Sequence, residues 1–158
     1  MAIRSWVFQA GIRFDPSIGP HGSSYPMGSE TELLLRLGRQ GHKAWHAKGA
    51  IVEHLVRDEQ LQEEWVLRRA IRWGRGRYRM SQVKKLWMGV PRHLFRDIPI
   101  ECLVMATAWV SFRRDALFRS RWRLNILRGM AIEARLMAKS RRVSSDSGKL
   151  SSKLDGNN

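Results

Sequence analysis

Two glutamates stand at the mouth of a leucine-rich segment, in Ser29-Glu30-Thr31-Glu32-Leu33-Leu34. A carboxylate there has two uses. It can favour a helix start through its charge, a gain of ~0.3–1 kcal/mol, or it can take a proton from a substrate hydroxyl as a general base. A second chemical signature lies downstream, where Arg68, Arg72, Arg75 and Arg79 step by four, three and four residues. That spacing gathers them on one helix face, suited to phosphates or to an anionic membrane surface. Histidines 42, 46 and 54 are scattered through the stretch between these two features. Taken alone, each reads as a surface or packing residue.

These groups need elements to position them. Phe14 to Gly28 is dense in Gly, Pro and Ser, which break regular structure, so a long ordered loop is expected. Ser29 is placed to cap a helix over 30–40, with Glu32 reaching back in a capping box and Gly41 as a left-handed stop. Residues 43–47 and 50–55, parted by Lys48-Gly49, read as two short strands. From Leu61 the pattern turns helical. Arginines share that region with Trp65, Trp73, Trp87, Trp109 and Trp122, which read as core or interface anchors. Pro91 suits the first turn of one helix, which Pro99 would break or kink, and Asp115 suits the start of the last. Residues 143–158 lack apolar mass and are expected to be disordered.

Charge divides the chain in the same way. The 158 residues carry a formal net charge of +15. Residues 1–64 hold 7 basic and 8 acidic side chains, whereas 65–142 hold 20 and 4. The middle is therefore a cationic module that wants a polyanion, phosphates or an anionic membrane. The single cysteine, Cys102, excludes an intramolecular disulfide framework and a thiolate-rich zinc site, and makes a reducing, cytoplasmic setting the default. The longest mostly apolar run, residues 98–112, contains Pro99 and Glu101 and falls short of the ~20 residues a spanning helix needs. A peripheral position at the inner face of a membrane fits this composition better than a spanning one.

The order of the loop FDPSIGPHGSSYPMG, the helix start SETELLLRLGRQG and the strand-like AIVEHLV resembles the C-terminal part of the family-2 glycosyltransferase catalytic domain, of GT-A fold. The resemblance covers roughly residues 1–80. It implies an α/β fold, an incomplete GT-A-like C-terminal half over 1–60, followed by an amphipathic helical extension over 61–142. It also implies inverting transfer of a sugar from a nucleotide-sugar donor to a hydroxyl of a glycan or lipid-linked acceptor. Carried over by position, Glu30 falls where the family places its catalytic Asp, with Ser29 in place of the preceding acidic residue. His54, in Glu53-His54, matches the family histidine that joins a divalent metal, Mn²⁺ or Mg²⁺, on the donor diphosphate. The family's Asp-x-Asp motif does not occur in the sequence. The expectation is thus a fragment, a misplaced start or a remnant without the donor-binding half, inactive alone, whose helices 61–142 touch an anionic membrane. The rival is a non-enzymatic basic helical module that binds nucleic acid or a membrane. Nucleic acid is the less expected partner, because no helix-turn-helix, zinc or RNA-recognition signature is present.

Overall fold

The computed structural model describes residues 1–155 except 21, 23 and 82–84, with side chains described through residue 141. Six helices follow in order: α1 (Ser5–Gln9), α2 (Ser29–Arg39), α3 (Asp58–Leu61), α4 (Glu63–Met80), α5 (Leu94–Val110) and α6 (Arg114–Asp155). One hairpin, β1 (Leu86–Trp87) with β2 (Val90–Pro91), separates α4 from α5. With 61% helix and 3% strand, the α/β expectation of a GT-A-like half is overturned.

The failed strands show why. Residues 42–57 form no strand; the chain turns at Ala47–Ala50 and otherwise runs irregularly from α2 to α3. Trp45 is 93% exposed and Leu55 90%. Their apolar composition supports strand formation only where neighbouring strands and a covering layer exist. A lone two-stranded ribbon is marginal in water, and the described residues supply no sheet for these segments to join.

Helix α2 comes close to its expected bounds but starts differently. Gly28, not Ser29, is the N-cap, at φ 109°, and no side chain caps the helix. Glu32 does not reach back. Instead it accepts from Arg36 one turn on, at 2.9 and 3.1 Å. The i,i+4 spacing makes that pair the nearer partner. Gly41 does provide the left-handed stop, at φ 88°. Leu33 and Leu37 bury one side of α2 against Val7 of α1, with Ile3 and Ile12 alongside.

The larger core lies among α4, α5, α6 and the hairpin, where Ala70, Tyr78, Val90, Leu94, Ile126, Met130 and Ala134 are buried together. Ile126, Met130 and Ala134 on α6 supply part of it, as their four-residue spacing requires. Helices α4 and α6 cross closely because Gly74 faces the Ile126 carbonyl and Gly129 faces the Ile71 carbonyl, with no room for a Cβ at either. Pro91 sits in β2 rather than a helix, since Met88 and Gly89 (φ 49° and 77°) close a two-residue turn that pairs Trp87 with Val90. Pro99 is accommodated inside α5. The backbone of α6 is helical to Asp155; the side chains of 142–155 and residues 156–158, most of the polar tail, lie outside the described residues.

Candidate functional site

A cleft of about 470 Å³ opens at the N-terminus of α2. Gly28, Ser29, Glu30 and Thr31 form one wall, loop residues Gly19, Pro20, Tyr25 and Met27 another, and Val66, Arg69, Ala70 and Trp73 of α4 with Trp122 of α6 the third. Glu30 is exposed at this mouth. The first-turn N–H groups of α2 have no acceptor within the helix, so the same wall carries partial positive charge. Arg69 adds a full one and sits 5.2 Å over the Trp65 ring. The cleft thus combines a carboxylate, aromatic faces and a cation, which suits a polar ligand with apolar C–H faces.

The loop is held in place by α4. Met27 donates its N–H to the Arg72 carbonyl at 3.1 Å, and a Cβ on Gly76 would collide with the Met27 carbonyl oxygen. Only glycine lets the loop backbone lie directly on the helix. Gly19 closes the loop on itself by donating to the Pro26 carbonyl at 3.0 Å.

The arginine face divides in a way its spacing did not reveal. Arg68 is exposed and pairs with Glu64 one turn before it. Arg72 lies 5.3 Å from the Tyr25 ring. Arg75 and Arg79 turn inward to Glu133 of α6, whose side chain is 0% exposed: Arg75 Nε donates at 2.7 Å and Arg79 Nε at 2.6 Å, one to each carboxylate oxygen. The far ends of both guanidiniums then donate to the loop, Arg75 to the Ser24 carbonyl and Oγ, Arg79 to the Ser17 carbonyl at 2.8 Å. Two of the four arginines are therefore structural, and no continuous cationic row faces solvent on α4. Glu133 was not singled out in the sequence. Its one signal was being among only four acids in the basic region.

Asp15 anchors the start of the loop by accepting from the Ser17 N–H at 2.8 Å. Burial opposes its charge, but the Ser17 hydroxyl and N–H, with Arg79 and Arg36, outweigh burial and hold its carboxyl below the ordinary 3.8. A folded value below the unfolded one contributes stability above the unfolded value, lost as pH falls through the folded value. Asp15→Asn should lower stability at neutral pH by about 1 kcal/mol. The gap from the parent should close on acidification. A gap unchanged between neutral pH and pH below 3.8 in urea melts would show that ionisation plays no part.

The expected metal histidine is placed elsewhere. His54 is exposed in the irregular 42–57 segment and does not line the cleft that holds Glu30. Among the described residues no group of three or more His, Cys, Asp or Glu side chains could hold a metal ion. These residues do not build a divalent-cation site. His42 packs edge-on against Trp6, centroids 5.2 Å apart. No helix among the described residues is long and apolar enough to cross a membrane. Comparison of the chain with protein-family profiles, curated proteins and solved structures returns no match.

Proposed function

We propose that the cleft at the mouth of α2 is a glycosyl-transfer site, in which Glu30 is the general base for an acceptor hydroxyl. The supporting observation is the composition of one hollow: the Glu30 carboxylate, Trp73, Trp122 and Tyr25, and Arg69. Aromatic faces stack on the C–H faces of a sugar ring, and a carboxylate receives hydroxyl protons. The motif order that resembles family-2 glycosyltransferases puts the base at this same residue.

In the reaction, Glu30 takes the acceptor proton as the hydroxyl oxygen attacks the anomeric carbon from the face opposite the leaving group. The new C–O bond forms as the bond to the nucleoside diphosphate breaks, and its electron pair departs with the diphosphate. Arg69 and the first-turn N–H groups of α2 provide positive potential for that anionic group. The chain itself carries the base and the acceptor-binding walls.

Tryptophan fluorescence of the full chain, titrated with nucleotide-sugars and free oligosaccharides, tests binding; transfer of labelled sugar tests chemistry. Glu30→Gln should keep the saturable fluorescence change and lose about 10²–10⁴-fold in transfer rate. Undiminished transfer by that variant removes Glu30 as the base. A parent chain whose fluorescence responds to no sugar ends the reading.

A further inference from the structure

Helix α5 leaves its outer side uncovered. Phe95, Cys102, Leu103, Ala106, Trp109 and Val110 recur at helical spacing and all are exposed, Trp109 at 70%. The two ends of this stripe carry apolar tips. At one end the β1–β2 turn presents Met88, 76% exposed, next to Trp87, whose ring lies 4.4 Å from Phe95. At the other end the α5–α6 turn presents Phe112, 91% exposed. Met88 and Phe112 are also the only non-glycine residues at positive φ among the described residues, at 49° and 53°. For a side chain as large as Phe this conformation is unfavourable by roughly 1–2 kcal/mol, and glycine would relieve it. Phe112 also closes α5, donating its N–H to the Trp109 carbonyl at 3.1 Å while Arg113 donates to the Ala108 carbonyl at 2.9 Å. Glycine usually fills such a left-handed stop, so an aromatic kept there and held out into water points to use beyond ending the helix.

We propose that this face of α5, with the Met88 and Phe112 tips, lies in the interface of a bilayer that carries anionic lipids. The helix runs about 25 Å at 1.5 Å per residue, so the tips anchor it at both ends, parallel to the membrane plane. Charge selects this occupant. From residue 85 to 119 the chain carries Lys85, Arg92, Arg96, Arg113, Arg114 and Arg119 against Asp97, Glu101 and Asp115. Arg96 pairs with Asp97 at 2.9 Å and Glu101 is drawn back to Arg123 on α6, which leaves Lys85, Arg92, Arg113, Arg114 and Arg119 against Asp115. Apolar side chains flanked by cations are what an interfacial helix requires. The same excess would repel a second copy brought face to face. Beside the stripe, an apolar hollow of about 240 Å³ among Val90, Leu94, Ile98 and Pro99 has Arg135 in its lining. This inference is independent of the sugar-transfer reading.

Vesicle flotation of the full chain tests it, with phosphatidylcholine alone against phosphatidylcholine containing phosphatidylglycerol. The chain should float with the anionic vesicles and stay behind with the neutral ones. Phe112→Gly should weaken that binding about tenfold, the loss expected for one large apolar side chain, while raising the thermal midpoint because the strain is gone. Trp109→Glu should weaken it further without unfolding the chain, since Trp109 is exposed. Equal recovery with both vesicles overturns the proposal. So does anionic binding indifferent to both variants, which would be attraction by net charge alone, and so does lipid-free self-association that Trp109→Glu abolishes.

Discussion

Glu133→Ala destabilises the fold by about 3–5 kcal/mol, the range for removing one partner of a buried ion pair. Its carboxylate is fully buried and meets Arg75 and Arg79 with one oxygen each. Deleting it leaves two guanidiniums of α4 side by side at the α4–α6 contact without the carboxylate they share. Urea melts should show this as a lowered midpoint. Replacing all three residues by apolar ones of similar volume should recover much of the loss, because no unpaired charge then remains inside. The recovery would be selective. Arg75 and Arg79 also hold the Ser24 and Ser17 carbonyls, so the triple variant should regain stability while its loop, residues 15–28, exchanges amide hydrogens faster and the proposed sugar binding weakens. A triple variant as unstable as Glu133→Ala would show that packing, not charge pairing, sets the contribution of this site.

Gly76→Ala has the second large effect, and it acts on the opposite wall of the same assembly. A single methyl group there meets the Met27 carbonyl, a backbone atom that cannot rotate away. Either the loop lifts off α4, with loss of the Met27 N–H to Arg72 carbonyl bond, or the helix bends. Overpacking of this kind destabilises by about 1–3 kcal/mol, and more where backbone must move. Because Met27 and Gly28 lead directly into Glu30, any lift also displaces the proposed base. The variant should therefore lose ligand-induced fluorescence change at temperatures where circular dichroism shows it still folded. Gly38→Ala is the control, since a Cβ at Gly38 meets nothing within 4 Å. It should be neutral or slightly stabilising, alanine being the better helix former by about 1 kcal/mol. If Gly76→Ala behaves like Gly38→Ala, the loop does not depend on that close approach.

These two positions lie on one chain of contacts. Glu133 on α6 orients two arginines of α4, the arginines hold the loop, Gly76 lets the loop rest on α4, and the loop ends in the left-handed Gly28 that opens α2 at Glu30. The cleft is built from residues as far apart in sequence as Gly19 and Trp122. That is why its rigidity depends on a glutamate far from it in sequence.

Local rules were enough to read several elements from the residues alone. Leu33, Leu34 and Leu37 at helical spacing, followed by Gly41, define α2 to within about one residue at each end, because helix periodicity and a left-handed stop are properties of a short window. The Gly, Pro and Ser content of 14–28 likewise marks a loop wherever that loop is placed. The net charge of +16 in residues 65–142 follows from composition and holds in any fold.

Partners were what the local rules could not supply. Residues 43–47 and 50–55 have strand-like composition, but a strand exists only by hydrogen bonding to another, and among the described residues none is offered to them. Arginines 68, 72, 75 and 79 do share a helical repeat, yet which of them meets water was decided by Glu133, 54 to 58 residues away. Glu30 became a candidate base only through the motif order that resembles family-2 glycosyltransferases, while Trp73 and Trp122 beside it were brought together by the crossing of α4 and α6. Spacing along the chain determines which residues share a face; what that face touches is settled by long-range packing, where backbone-to-backbone fits such as Gly74 on Ile126 select one arrangement.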